Sequence, residues 1–142
     1  MKNYTFDEFK VDIKKLKLQK PDALVAIARG GLTFAHYLSQ KLDIRDVFSI
    51  NVISYEGNKK LKDIKIFNIP NLDKYKNILI VDDISDSGET FINVLNLLKN
   101  KYPKKNFKTI SIFYKPASKY KPDIYIHTTN EWINFFWEDL NI

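Results

Sequence analysis

The chain has no cysteine. That excludes a disulfide framework and a thiolate metal site, and it is compatible with the cytoplasm, the expected location. Arginine occurs only at Arg29 and Arg45, and glycine only four times. No apolar stretch approaches the roughly 20 residues needed to cross a bilayer, and residues 1–8 lack the apolar core of a signal peptide. No integral membrane segment is therefore expected. There is no internal repeat, no low-complexity segment and no dividing linker. The 142 residues are expected to form one domain, 1–142.

What is present describes an ordinary globular protein, 44% hydrophobic and 28% charged. The formal net charge is +6. Lysines are scattered along the whole chain, so the charge points to a field that draws in a polyanionic substrate rather than to nucleic acid, which is not expected as a partner. His36 and His127 have no ligand partners at metal spacing and are read as structural.

Apolar runs alternate with helical patterns. Thr5 to Glu8 has capping-box spacing, and Phe6, Phe9, Ile13 and Leu16 recur at helical intervals, which predicts a helix over 5–18. Strands are expected at 23–28, 47–55, 64–69, 78–81, 109–114 and 123–127, and helices at 32–42 and 90–100. This order predicts an α/β fold with a central, mainly parallel sheet flanked by helices.

The chain is organised around residues 77–90. Ile78 to Val81 is a short apolar run suited to a strand buried on both faces. Asp82 and Asp83 follow at its end, then Asp86, Ser87, Gly88, Glu89 and Thr90, before Phe91, Val94, Leu95 and Leu98 begin a helix. Unpaired N–H groups at a helix start, with the helix dipole, attract phosphate. Three carboxylates beside such a cradle repel it, so they require a second ligand group. Sugar hydroxyls donate to carboxylates, and Mg²⁺ favours such oxygens. Phosphate beside a diol describes a phosphorylated ribose. The competing reading is an acidic first helical turn placed there by the dipole alone.

This run resembles the phosphoribosyl pyrophosphate (PRPP) binding signature of type I phosphoribosyltransferases: apolar residues, an acidic pair, two variable residues, Asp or Ala, Ser or Thr, Gly, any residue, Thr. The resemblance extends over about 23–138, in the branch of the short bacterial xanthine-guanine and hypoxanthine enzymes. It implies the type I phosphoribosyltransferase fold with a small hood from the C-terminal segment. It also implies a Mg²⁺-dependent purine phosphoribosyltransferase (a pentosyltransferase of purine salvage). The substrates would be PRPP and a 6-oxopurine, giving the nucleoside 5′-monophosphate and pyrophosphate, and the enzyme would be a homodimer or homotetramer.

Residue by residue, the resemblance puts the 5′-phosphate on Ser87, Gly88, Glu89 and Thr90 and the ribose hydroxyls on Asp82 and Asp83. Asp86 falls within the PRPP loop and is the catalytic base. Arg29, Gly30 and Gly31 take the place of the pyrophosphate loop, with Ala28 where relatives often have Ser; the family often has a cis peptide there. Residues 54–60 resemble the loop that closes over PRPP, with Lys59 and Lys60 on pyrophosphate. Read alone, these lysines are equally a solvated loop. Lys115 is expected to donate to the purine 6-oxo group, with Trp132 stacking on the base and Ile133 contacting its position-2 edge; core packing is the commoner fate of a Trp. Glu138 or Asp139 takes the last acidic place. Mg²⁺ is expected on Asp82, Asp83 and Glu138, directly or through water. Phe135, Phe136 and Trp137 are candidate oligomer contacts. The alternative is a non-catalytic PRPP-sensing or RNA-binding regulator on the same fold. A phosphotransfer enzyme with an Asp at a strand end lacks a second motif.

Overall fold

Two of the apolar runs lie side by side in the middle of the sheet. A computed structural model of the chain describes residues 1–55 and 63–141. Strands β2 (Ala23–Ala28) and β5 (Asn77–Val81) pair in parallel, with Ala26 opposite Val81. β3 (Val47–Tyr55) flanks β2 in parallel, and β4 (Asp63–Phe67) returns antiparallel along β3 at the edge. On the other side β7 (Asn106–Tyr114) joins β5 in parallel, and β8 (Ile124–Thr128) joins β7.

The alternation of side chains explains why these runs are apolar throughout. Leu24, Ala26, Leu79 and Val81 face one core, with Phe34, Ala35 and Leu38 of helix α2 (Leu32–Leu42) and Phe9 of α1 (Phe6–Lys15). Val25, Ile27, Ile78 and Ile80 face the other, with Phe91, Val94, Leu95 and Leu98 of α3 (Glu89–Lys101). A sheet covered on both faces has no room for polar alternation. Because β2, β5 and β7 are parallel, the loops that follow them emerge at one end of the sheet, where α/β sheets hold ligands.

Several elements differ from expectation. The capping box at Thr5 is formed, but α1 ends at Lys15, with the Leu16 N–H closing the last turn on Asp12. β7 begins at Asn106, three residues early, and a two-residue strand, β6 (Ile84–Ser85), continues along β7 after β5 stops. The hood is built from both ends of the chain. β1 (Lys2–Tyr4) pairs in parallel with β9 (Ile133–Phe135), and a short 3₁₀ turn, Phe136–Glu138, follows.

The tail aromatics are not free surface for oligomer contacts. Phe135 is buried and stacks on Trp137 with ring centroids 4.7 Å apart. Phe136 and Trp137 both pack on Phe9, and Tyr4 meets Phe113, Phe135 and Trp137 edge-on.

Candidate active site

The acidic pair stands where the sheet ladder is interrupted. β5 ends at Val81 and β6 begins at Ile84, so Asp82 and Asp83 bulge between them. Both Ile112 and Phe113 donate their N–H to the one carbonyl of Asp83. Asp82 is 8% exposed, and its Oδ1 accepts the Asp83 N–H at 2.9 Å. Burial, and then the charge of Asp83, hold the Asp82 carboxyl well above the ordinary carboxylate range. Burial pushes Asp83 up to about 6 against hydrogen bonds from Asp82 and the Ile84 N–H, and the charge of Glu138 adds to the rise. Glu138, on the hood, thus acts electrostatically on the acid pair. Among the described residues no three acidic or histidine side chains converge on one point as a metal cage.

The Arg29 turn presses on this pair. A Cβ on Gly30 would stand 2.6 Å from Asp83 Oδ2, and one on Gly31 would stand 2.3 Å from the Val81 carbonyl oxygen. Only glycine lets the loop after β2 approach the end of β5 so closely. The Ala28–Arg29 peptide bond is cis, and the Arg29 side chain is exposed.

The phosphate cradle follows. Gly88 caps α3 with φ 88°, in the left-handed region, and Ser87 Oγ accepts the Glu89 N–H at 3.2 Å. Glu89 and Thr90 form the start of the helix and are partly buried. This cradle is clasped by the loop after β7, residues 115–122. Lys115 N–H donates to the Ser85 carbonyl at 3.1 Å and Lys119 N–H to that of Ser87 at 2.9 Å. Ser85 Oγ and Ser118 Oγ lie 2.9 Å apart, and both donate to the Tyr120 carbonyl. The Tyr120 hydroxyl reaches Thr109 Oγ1 at 2.8 Å, which fixes the clasp to β7.

The clasp also carries Lys115, the residue expected to meet the base. Lys115 Nζ lies 2.9 Å from Asp86 Oδ1; the lysine side chain is 20% exposed and the aspartate 55%. Trp132 is 65% exposed, while Ile133 beside it is buried in the hood. The tryptophan is therefore not a core residue. The structure brings Arg29, Gly30, Gly31, Asp82 and Asp83 together, and joins Asp86, Ser87, Gly88 and Glu89 to Lys115 through the clasp. Lys59 and Lys60 lie outside the described residues. Sequence reasoning missed Ser85, Ser118, Lys119 and Tyr120. Their partners lie about thirty positions apart, and no local pattern signals such pairs.

A pair of acids, a glycine-capped helix start and a lysine paired with Asp86 gather at the carboxyl ends of parallel strands. The chain belongs to the phosphoribosyl transferase domain family, whose profile matches residues 11–138. The xanthine-guanine phosphoribosyltransferase of Roseobacter denitrificans is 36% identical over 138 residues, covering 87% of this chain and 75% of the relative. Among solved structures, the Helicobacter pylori xanthine-guanine-hypoxanthine phosphoribosyltransferase superposes with a TM-score of 0.89 at 41% identity, covering 96% of this chain and 93% of that one. The purine phosphoribosyltransferase of Pyrococcus horikoshii gives 0.79 at 33% identity, covering 99% and 95%.

Proposed function

We propose that this chain is a 6-oxopurine phosphoribosyltransferase that works as a single domain. It condenses guanine, xanthine or hypoxanthine with PRPP, giving the nucleoside 5′-monophosphate and pyrophosphate. Its named relatives support this reading. The observation that carries it is the Lys115–Asp86 pair, 2.9 Å apart at the rim of the cradle. A 6-oxopurine presents, on one edge, an oxygen acceptor at position 6 beside ring nitrogen N7. A donor next to a proton acceptor matches that edge when N7 carries the proton.

In the reaction, base N9 attacks C1′ of PRPP and the bond from C1′ to pyrophosphate breaks. The N7 proton passes to Asp86, acting as general base. Lys115 holds the 6-oxo group, and Trp132 offers its exposed ring to the base, with Ile133 at the position-2 edge. The α3 start, with Ser87, Gly88, Thr90 and the main chain at Glu89, holds the 5′-phosphate. Asp82 and Asp83 take the ribose hydroxyls. Arg29, Gly30 and Gly31, with Lys59 and Lys60, take pyrophosphate.

The donor set suits Mg²⁺, because two hard carboxylates stand side by side, both raised in pKa chiefly by burial and further by a neighbouring acid, and a cation would stabilise their charged forms. Asp82 and Asp83 would hold it, with Glu138 reached through water rather than in a closed cage. When bound, Mg²⁺ supplies charge compensation to the departing pyrophosphate. A cytoplasmic homodimer or homotetramer completes the proposal. Exposed Leu32 and Val47, which border one concavity between α2 and β3, are apolar surface available to a second copy.

The test is to measure kcat/KM for guanine, xanthine, hypoxanthine and adenine with saturating PRPP and Mg²⁺. Adenine places an amino donor against the Lys115 ammonium, at a cost of about 1–3 kcal/mol, so it is expected to be about five- to 150-fold poorer than the best base. Adenine equal to the best base would remove Lys115 from the base site.

A further inference from the structure

The signature that defines the phosphate cradle leaves one position open, and in this chain that position is Glu89. Glu89 is the first residue of α3. Its carboxylate suits the positive end of the helix while the cradle is empty. A 5′-phosphate held by the same turn brings more negative charge to the same place, and the two anions repel. A residue that sequence reasoning did not single out answers this charge. Lys119 Nζ lies 2.7 Å from Glu89 Oε1, and the contact raises the lysine pKa. The Lys119 main chain is fastened to the same cradle, its N–H donating to the Ser87 carbonyl at 2.9 Å. Ser118 and Tyr120 on either side are bonded to Ser85. The ammonium is thus carried on a braced segment.

We propose that Lys119 is a positioning residue for PRPP, holding the Glu89 carboxylate at the rim of the cradle and offsetting its charge so that the 5′-phosphate can bind beside an acid. Lys119 acts through Glu89 and does not itself touch the phosphate. The inference rests on the phosphoribosyltransferase reading above. It predicts that the lysine matters only because position 89 is acidic.

The experiment compares the wild-type chain with Lys119→Ala and with the double variant Glu89→Gln/Lys119→Ala, at low ionic strength. Wild-type turnover with PRPP and a 6-oxopurine is measured first; inactivity there would defeat the functional reading itself. Lys119→Ala is expected to raise the KM for PRPP by about two- to fivefold, as suits an exposed pair, with the KM for the purine unchanged. Added salt should shrink the defect. Affinity for the product 5′-monophosphate should fall in parallel, and affinity for inorganic pyrophosphate should hold. The double variant should show a smaller PRPP defect than Lys119→Ala alone, and Lys119→Arg, which keeps the cation, should hold the wild-type KM for PRPP. Three results would overturn the proposal: no PRPP defect in Lys119→Ala, a double variant whose PRPP defect is no smaller than that of Lys119→Ala, or an equal rise in the purine KM, which would signal collapse of the clasp that carries Lys115.

Discussion

Asp86 keeps its carboxylate more than half in solvent while Lys115 stands against it. Asp86→Asn preserves size and removes the acceptor. Turnover is expected to fall by about 10²–10⁴-fold, the usual worth of a general base, with PRPP affinity nearly unchanged. Single-turnover rates and PRPP titrations separate the two, and retention of most of the turnover would dismiss Asp86 as the base. Asp83 differs in kind. Its pKa rises from the ordinary 3.8 to about 6, chiefly through burial. A carboxyl whose folded pKa is raised contributes stability that is fully present below 3.8 and is lost as pH climbs through about 6. Asp83→Asn removes that loss. Thermal melts without divalent ions should show the variant melting above the wild type at about pH 7.5 and level with it at about pH 4. A variant that melts lower at the higher pH would show that the charged form is stabilised instead.

At the scale of elements, the site is a junction of loops clasped at Gly88. A Cβ there would stand 2.6 Å from the Tyr120 backbone nitrogen, and φ is already left-handed. Gly88→Ala must therefore push residues 115–122 off the cradle. The expected result is a rise in the KM of both PRPP and purine, with a stability loss of about 1 kcal/mol or more. Kinetics for each substrate, with a denaturant titration, would check it; a change confined to PRPP would mean that the clasp does not link the two halves. The sequence made the long elements legible, because a strand covered on both faces must be apolar and a helix must repeat. β5 and α3 followed from Ile78 to Val81 and from Phe91 to Leu98, and the cap of α1 from Thr5 and Glu8. Short elements left no such trace. β6 has two residues and β1 and β9 three each, too few to show a period, and their partners lie far along the chain. For the same reason Phe135 and Trp137 looked like free surface, when the rings they pack on belong to residues 4 and 9.

For the molecule as a whole, the candidate site read best where the residues that act together are neighbours in sequence. Residues 82–90 supply the acid pair and the cradle as one string, whereas Lys119 and Ser118 reach that string only through folding. The hood is the extreme case. Lys2, Asn3 and Tyr4 pair with Ile133, Asn134 and Phe135, and Lys2 N–H donates to the Trp132 carbonyl at 2.9 Å. On the ribosome, the segment proposed to grip a ribose phosphate emerges entire while β1 still waits for a strand that does not yet exist. Trp132 and Ile133 take their places only when that late pairing forms. During its own synthesis the chain would acquire the segment proposed to hold the sugar phosphate before it has the surface proposed to take a base.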